Sequence, residues 1–484
     1  MAAAKLSGCT TIEPVAKALD PPAAPREFRG AWIASVSNID WPSRPALPVE
    51  VQQDEARRLV RIAREAGLNA LILQVRPAAD ALYVSAIEPW SEYLTGEQGR
   101  GPDPPYDPLA FWIAEAHRAG LALHAWFNPF RARHSSARGP LTLRHFANTR
   151  PGSVRPYGDM LWMDPGDPAA AEVALAVILD VLRRYEVDGV HIDDYFYPYP
   201  VKGPNGEDEA FDDRATWGAY KGPLTLSQWR RENVDRFVER LYYEVRRENA
   251  RALVGVSPFG IGRPDRRPAG IAGFSQYDAI YADVERWLEN GWMDYLAPQL
   301  YWKSDSPGQR FSLLLEYWQS QNRMGRHVWP GLFTSRIDAT EKSWTPEDIA
   351  GQIELSRARD AQGHIHFSMA ALAQDRRGIV ERLHSTYANA ALVPATPWLA
   401  NRAPPAPAVN ASAEGDVIRI ATAQPTPWLL ATWALYGEAW HFSVLPRGEG
   451  AITRERSGNR LVQLVVSSVD RAGMESDRVR VRPR

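Results

Sequence analysis

Short runs of β-branched and aromatic residues alternate with amphipathic stretches from residue 28 to about residue 389. The runs have the length and composition of buried strands, and the stretches between them have the 3.6-residue periodicity of helices. Gly67 and Gly120 each end such a stretch and lead directly into the next run, which is a common C-terminal signal of helices. Strands are predicted to begin near Arg29, Asn69, Leu121, Asp188, Leu253, Asp294, His327 and Gly363.

Helices are predicted between these strands, among them residues 49–66, 108–119, 168–185, 226–248 and 345–361. Regular alternation of strand and helix is typical of a parallel sheet in the α/β class. Eight such units favour a closed (β/α)8 TIM barrel over an open, doubly wound sheet. The glycine-rich signatures that bind phosphate in nucleotide-binding folds are absent from the sequence.

The composition changes after residue 390, which predicts further segments. Residues 391–407 are rich in proline and form a stiff linker. Residues 408–484 contain short alternating runs without helical periodicity, which predicts a small all-β sandwich. Its ending, VSSVDRAGMES at 466–476, resembles the last strands of fibronectin type III modules. The predicted organisation is therefore a tether over 1–27, a barrel over 28–390, the linker, and the sandwich.

The alternation of residues along the strands predicts which side chains face the barrel axis. Val190 and Ile192 are apolar and should face the helices, which turns His191 and Asp193 inward and leaves Asp194 at the rim. Function gathers at the carboxyl ends of barrel strands, so the inward polar residues should meet there. For a single residue such as His124, a purely structural hydrogen bond remains an alternative. The other inward positions are Gln74, Arg76, His124, Trp126, Asn128, Gln299, Tyr301, His366 and Ser368.

Charge and cysteine content exclude several classes of function. The chain has 56 Lys and Arg against 58 Asp and Glu, so it lacks a positive field that would attract nucleic acid. Its one cysteine, Cys9, excludes disulfides and cysteine-based metal sites within the chain. No metal site and no cofactor is predicted. Eighteen tryptophans favour a ligand with flat apolar faces, although many of them will belong to the core.

The adjacent carboxyl groups of Asp193 and Asp194 are the sharpest chemical feature of the sequence. Two neighbouring carboxylates cannot easily both ionise in a dry pocket, so one is expected to keep its proton and act as a general acid. Glycoside hydrolysis needs one protonated and one charged carboxyl group. Adjacent residues suit a substrate-assisted variant, in which one Asp orients a 2-acetamido group that attacks the sugar carbon. A loop-bracing role and divalent metal ligation are the alternatives.

Ordered motifs along residues 28 to 390 resemble the glycosyl hydrolase-like 10 family of bacterial envelope lipoproteins. They include RGAWIA at 29–34, NIDWP at 38–42, QVRP at 74–77, HAWFNP at 124–129, DDYFYP at 193–198 and APQLYW at 297–302. The resemblance implies a (β/α)8 barrel, a periplasmic lipoprotein and hydrolysis of peptidoglycan glycan strands, with Asp193 and Asp194 as catalytic candidates. Substrate contacts are predicted at Asp40, Trp41, Arg76, His124, Asn128, Tyr195, Gln299, Tyr301 and Trp302.

The N-terminus carries a motif that predicts attachment to a membrane. Leu6-Ser7-Gly8-Cys9 resembles a bacterial lipobox, so Cys9 is the predicted lipidation site. The apolar stretch of a signal peptide is not found before it, and export is therefore inferred from the motif alone. The expected location is the periplasm, with a lipid anchor in the outer membrane. The alternative is a chance cysteine in a disordered tail.

Three functional hypotheses follow from the sequence. The first is a cell-envelope glycosidase that cleaves 2-acetamido-sugar polymers such as peptidoglycan strands through the Asp pair. The second is a glycan-binding lipoprotein with a degenerate, non-catalytic barrel. The third is metal-dependent hydrolysis by the Asp pair, which predicts sensitivity to a chelator.

Overall fold

The computed structural model describes residues 20–400, 402–423 and 427–482, so the predicted lipidation site Cys9 lies outside the described residues. Eight strand positions form a closed parallel barrel, as the sequence predicts. The first strand pairs with both the second and the eighth, which closes the sheet. In order, the strands are Phe28–Ile33, Ala70–Arg76, Ala122–Phe127, Gly189–Ile192, Leu253–Val256, Tyr295–Leu296, the two pieces His327–Val328 and Gly331–Leu332, and Gly363–His366.

The helices around the barrel begin close to the predicted positions, because their first turns carry strong capping signals. The side chains of Asp107 and Asp167 each accept a backbone N–H at a helix start followed by proline, and Thr225 and Thr345 form capping boxes. The α-helices are Val49–Glu65, Glu92–Thr95, Pro108–Arg118, Phe146–Thr149, Pro168–Arg184, Arg214–Ala219, Leu226–Glu248, Gln276–Ala279, Val284–Asn290, Phe311–Gln321, Pro346–Arg357, Met369–Ala373 and Ile379–Tyr387.

Short elements complete the barrel. The 3-10 turns are Val36–Asn38, Pro151–Ser153, Thr334–Arg336 and Arg376–Gly378. A small antiparallel sheet of Arg131–Arg133, Val154–Tyr157 and Met160–Met163 follows the third barrel strand. This sheet begins just after the carboxyl end of that strand. It therefore forms a wall at the end of the barrel where function is expected.

The predicted alternation of inward and outward residues is confirmed for the second, third, fourth and sixth strands. Val190 and Ile192 pack in the layer between the sheet and the helices. Trp32, Trp126 and Tyr295 belong to a separate cluster inside the barrel. Large rings on the axis exclude water from the barrel interior. The polar residues at the carboxyl ends of the strands therefore lie next to a close-packed core.

The eighth strand departs from the prediction, because its inward residues are apolar. Ile365 belongs to the inner cluster, whereas His366, predicted to face inward, points toward the helix layer. The Nε2 atoms of His364 and His366 lie 2.7 and 2.9 Å from the hydroxyl oxygen of Tyr387. Since that hydroxyl serves both rings, two histidines can be buried on the helix side while Ile365 fills the axis.

The C-terminal region is an all-β module with two packed sheets, as predicted. One sheet contains Val409–Glu414, Val417–Thr422 and Glu449–Thr453, and the other contains Leu429–Tyr436, Ala439–Pro446, Glu455–Arg456, Asn459–Val469 and Val479–Val481. The module contacts the barrel at the amino ends of its strands, where Arg471 pairs with Asp188 at 2.7 Å. The carboxyl ends of the strands therefore stay open.

Among the described residues, no helix combines the length and the apolar character needed to span a membrane.

Candidate active site

Asp193 and Asp194 follow the fourth barrel strand directly and lie at its carboxyl end. Each is only 4% exposed. The third strand ends next to Asn128, and the segment after the sixth strand carries Gln299 and Tyr301. All three lie beside the pair, as the hydrogen bonds and charge effects described below show, so the structure brings this part of the predicted polar cluster together at one end of the barrel.

The carboxylate of Asp193 is held by two neighbouring side chains. Asn128 Nδ2 donates to its two oxygens at 2.8 and 2.7 Å, and Trp126 Nε1 donates at 3.2 Å. Burial raises the pKa of Asp193, whereas the positive charge of Arg131 and these hydrogen bonds lower it. Asp193 is therefore fixed in position, and its pKa rises to about 6 because burial outweighs the groups that favour the charged form.

A chain of hydrogen bonds across three strands fixes Asn128 in turn. The backbone N–H groups of Ser35 and Val36 both donate to Gln74 Oε1 at 2.9 Å. Gln74 Nε2 then donates to Asn128 Oδ1 at 2.6 Å. Because Gln74 Oε1 accepts two backbone donors, the amide orientations of Gln74 and Asn128 are determined, and Asn128 must present its NH₂ group to Asp193.

Asp194 has different neighbours, and its proton is held more firmly. Tyr199 donates its hydroxyl proton to Asp194 Oδ2. Burial and the negative charge of Asp193 raise the pKa of Asp194, while hydrogen bonds from Tyr199 and Gln299 lower it. No arginine is among the principal groups that lower its pKa, in contrast to Asp193. Asp194 is therefore the member of the pair that keeps a proton to higher pH.

Aromatic rings from several loops surround the pair. Tyr301 stacks on Phe333 at 4.8 Å, and burial, together with the charges of both carboxylates, raises the pKa of its hydroxyl. The guanidinium of Arg131 lies 5.0 Å from the ring centre of Tyr195. Trp302 packs edge-on against Phe259 at 5.6 Å. Such rings can stack on the apolar faces of sugars.

Two of the predicted substrate contacts act on the backbone instead. Arg76 is fully buried, pairs with Glu88 at 2.5 Å, and donates to the carbonyl oxygens of Asn128 and Pro129. Asp40 accepts hydrogen bonds from Ala34 N at 2.7 Å and from Ser368 and Ala370 at 2.6 Å, which tie the first strand to the eighth. Burial raises the pKa of Asp40 to about 6. Both side chains thus position the site.

The structure does not bring His124 or Trp41, two further predicted contacts, to the Asp pair. His124 Nδ1 lies 2.9 Å from the hydroxyl of Tyr295, which also bonds His191 Nδ1 at 2.9 Å inside the barrel. Burial lowers the pKa of His124 to about 4, so its ring is neutral. Trp41 is 1% exposed and donates to a backbone carbonyl at 2.9 Å. Both side chains therefore bond within the fold and not at the pair.

Two residues that contact the pair or lie near it were missed by sequence reasoning. Tyr199 lies five residues after Asp194 in an aromatic run, so its spacing from the pair was a signal that could have been used. Arg131 lies three residues after Asn128 and donates through Nε to the carbonyl oxygen of Pro77 at 2.8 Å. Its Nη2 atom is buried and finds no acceptor within the described residues.

No group of three or more His, Cys, Asp and Glu side chains in the described ranges is arranged to hold a metal ion.

Comparison with known proteins gives one family and several relatives. The model of the family described as glycosyl hydrolase-like 10 matches residues 27–346. Glycosyl hydrolase YngK of Bacillus subtilis (strain 168) is 38% identical over 408 residues, which cover 82% of this chain and 79% of YngK. Glycosyl hydrolase DigH of Escherichia coli (strain K12) is 34% identical over 324 residues, 62% of this chain and 72% of DigH.

Among solved structures, the glycoside hydrolase domain of PgaB (BpsB) from Bordetella bronchiseptica aligns with a TM-score of 0.48 and 15% identity. The alignment covers 74% of this chain and 99% of that domain.

Proposed function

Because the chain belongs to the glycosyl hydrolase-like 10 family and is a glycoside hydrolase, we propose that it cleaves polymers of 2-acetamido sugars, with peptidoglycan glycan strands as the substrate. The observation that carries this proposal is the unequal surroundings of the Asp pair. Asp193 is bound by Asn128 and Trp126, whereas Asp194 is bound by a tyrosine hydroxyl and faces the charge of Asp193.

The two carboxyl groups have different roles in a substrate-assisted reaction. Asp194 donates its proton to the glycosidic oxygen while the bond from that oxygen to C1 breaks. The carbonyl oxygen of the substrate's 2-acetamido group forms a bond to C1, and Asp193 accepts a hydrogen bond from the acetamido N–H as positive charge develops there. Water then attacks C1, gives a proton to Asp194, and reopens the ring formed by the acetamido group.

The rigid support of Asp193 favours this role over that of a nucleophile. Its two oxygens already accept three hydrogen bonds from Asn128 and Trp126, which limit its movement toward a sugar carbon. A charged group held in place can stabilise the developing positive charge without reorganisation. The rings of Tyr195 and Tyr301 supply the walls of a sugar site.

Incubation with peptide-free glycan strands and with chitooligosaccharides tests the proposal by mass spectrometry of the products. The wild type should shorten these substrates, and Asp193→Asn and Asp194→Asn should each lower kcat by about 10²–10⁴-fold. Strands from which the acetyl groups have been removed should resist cleavage. Asp54→Asn, an exposed helical residue, serves as the control.

Two outcomes would contradict different parts of the proposal. If folded wild type releases no product from any of these glycans, the substrate assignment is wrong. If de-acetylated strands are cleaved as fast as acetylated ones, the substrate-assisted step is wrong even though the polymer is right.

The proposal also includes an envelope location with a lipid on Cys9. The support is the lipobox-like sequence Leu6-Ser7-Gly8-Cys9. Labelling cells with a radioactive fatty acid should mark the full-length precursor but not its Cys9→Ser variant, and equal labelling of the two would contradict the anchor.

A further inference from the structure

A cavity opens among the loops that follow the second and third barrel strands. Its volume is about 320 Å³, and its lining includes Trp90, Gln98, Arg100, Thr142 and Arg144. These loops leave the carboxyl ends of their strands, and the third strand pairs with the strand that ends at the Asp pair. The cavity therefore lies at the same end of the barrel as the predicted catalytic residues.

The cavity is separate from the Asp pair. Glu88 lines it and binds Arg76, Arg76 binds the backbone of Asn128, and the side chain of Asn128 binds Asp193. Three residues thus intervene between the cavity and Asp193. A ligand in the cavity therefore does not contact Asp193.

The walls of the cavity are built by the fold and do not need a ligand to form. Gly99 N donates to the carbonyl oxygen of Trp90 at 2.8 Å, and Thr142 N donates to Gln98 Oε1 at 3.0 Å. Gly99 has a φ of +86°, and a Cβ there would lie 2.6 Å from Thr142 Cγ2. Only glycine permits this contact between the two loops.

Two hydrogen-bond donors in the lining have no acceptor in the described part of the chain. Gln98 is 7% exposed, and the only hydrogen bond of its side chain is made by Oε1, so its Nε2 is free. The indole N–H of the half-buried Trp90 is also free. A Cβ at Gly101 would lie 2.8 Å from that nitrogen, so glycine leaves the N–H uncovered. Donors that line a cavity and have no partner within the protein can bind the oxygens of a ligand.

The charges around the cavity are compatible with a sugar. Arg100 and Arg144 lie at its rim, Glu97 is 3.9 Å from Arg100, and the carboxylate of Glu88 is taken by Arg76. The lining therefore carries one positive charge that is not balanced by these carboxylates. A flat aromatic face together with a few polar donors is the usual composition of a site for a polar ring such as a pyranose.

We propose that the cavity around Trp90 is a remote saccharide subsite, which holds a sugar of the glycan several units away from the bond that is cleaved. The inference rests on the proposed function for the identity of the polymer. The pyranose ring packs on the indole face, and its hydroxyl or acetamido oxygens accept from Gln98 Nε2 and Trp90 Nε1. The subsite would anchor long strands and contribute nothing to short ones.

Kinetics with substrates of two lengths test the subsite. For Trp90→Ala, kcat/KM should fall about ten-fold or more on long glycan strands, through KM, and stay unchanged on a chitooligosaccharide too short to reach from the Asp pair to the cavity. Gln98→Leu should give a smaller loss with the same pattern. Tyr243→Ala, which removes a ring that is 57% exposed on a helix, is the control. Equal losses on both substrates, or none on long strands, would overturn the inference.

A binding experiment separates this inference from the proposed function. In affinity electrophoresis with long glycan strands in the gel, Asp194→Asn protein should be retarded, and the double variant Asp194→Asn, Trp90→Ala should be retarded less. If the wild type cleaves none of the glycans, this difference still supports the subsite. If the two variants migrate alike, the cavity is not a saccharide subsite.

Discussion

Asp193 and Asp194 are neighbours in sequence and equally buried, yet their side chains have different hydrogen-bond partners and different neighbouring charges. Asp193 receives the side-chain amide of Asn128 at both oxygens and the indole N–H of Trp126, and the charge of Arg131 lowers its pKa. Asp194 receives the hydroxyl of Tyr199 and is opposed by the charge of Asp193. At this scale, the division between acid and carboxylate is set by individual hydrogen bonds.

Tyr199→Phe tests that division. The Tyr199 hydroxyl lowers the pKa of Asp194, so its removal raises that pKa further and keeps the acid protonated at higher pH. We expect the falling limb of the pH profile of kcat/KM to move to higher pH, with a loss of about ten-fold at the optimum. Tyr185→Phe is the matched control, because the Tyr185 hydroxyl also donates to a carboxylate, that of Asp107, at 2.6 Å. A shift of this limb to lower pH would contradict the assignment.

At the scale of secondary structure, the second barrel strand holds Asn128 in position. Its residues Gln74 and Arg76 lie on the same side of the strand and both bind Asn128, one at the side chain and one at the backbone. Glu88, from the following loop, neutralises Arg76 where both side chains are almost fully buried. A buried ion pair of this kind is costly to break, because the remaining charge has no partner.

Glu88→Ala should therefore destabilise the protein by about 3–5 kcal/mol, measured by urea unfolding. Glu65→Ala, which removes one member of an exposed helical pair, should change the stability by less than about 1 kcal/mol. The double variant Arg76→Met, Glu88→Leu should recover much of the stability but not the activity, since the donor to the Asn128 carbonyl is gone. Full activity in the double variant would show that Arg76 does not position Asn128.

At the scale of the whole molecule, the Asp pair and the C-terminal β-module lie at opposite ends of the barrel. The β-module packs where the strands begin, and Arg471 and His117 both bind the carboxylate of Asp188 at 2.7 and 2.8 Å. The Asp pair lies where the same strand ends. The module therefore stabilises the fourth strand from the end remote from the Asp pair.

Arg471→Ala should lower the free energy of unfolding at neutral pH by about 1–2 kcal/mol, because a partly exposed charged donor to Asp188 is lost. Arg471 helps to hold the pKa of Asp188 below its ordinary value. Its stabilising effect is thus present above that ordinary pKa and fades as the pH falls and Asp188 protonates. Arg480→Ala, near Asp20 on an exposed surface, is the control. An unchanged kcat is expected, and a large loss would show coupling along the strand.

The sequence by itself determined the barrel and most of its alternation, because these follow from local patterns. Eight apolar runs with helical stretches between them predict the strands, and Val190 and Ile192 predict the inward turn of Asp193. Capping residues and Gly67 place the helix ends. The second domain follows from the change in composition after residue 390. Periodicity and capping depend on neighbours within one or two turns, which a sequence displays directly.

Only the tertiary structure decided which polar residues reach the pair. Asn128 and Asp193 are 65 positions apart in the chain but form a hydrogen bond. Arg76 was predicted to contact the substrate, but its guanidinium forms an ion pair with Glu88. In the eighth strand the sequence predicts an inward His366, and this prediction is wrong because Tyr387, from a later helix, binds both His364 and His366. Partners far apart in sequence compete for each buried donor and acceptor, and only the folded chain determines which of them meet.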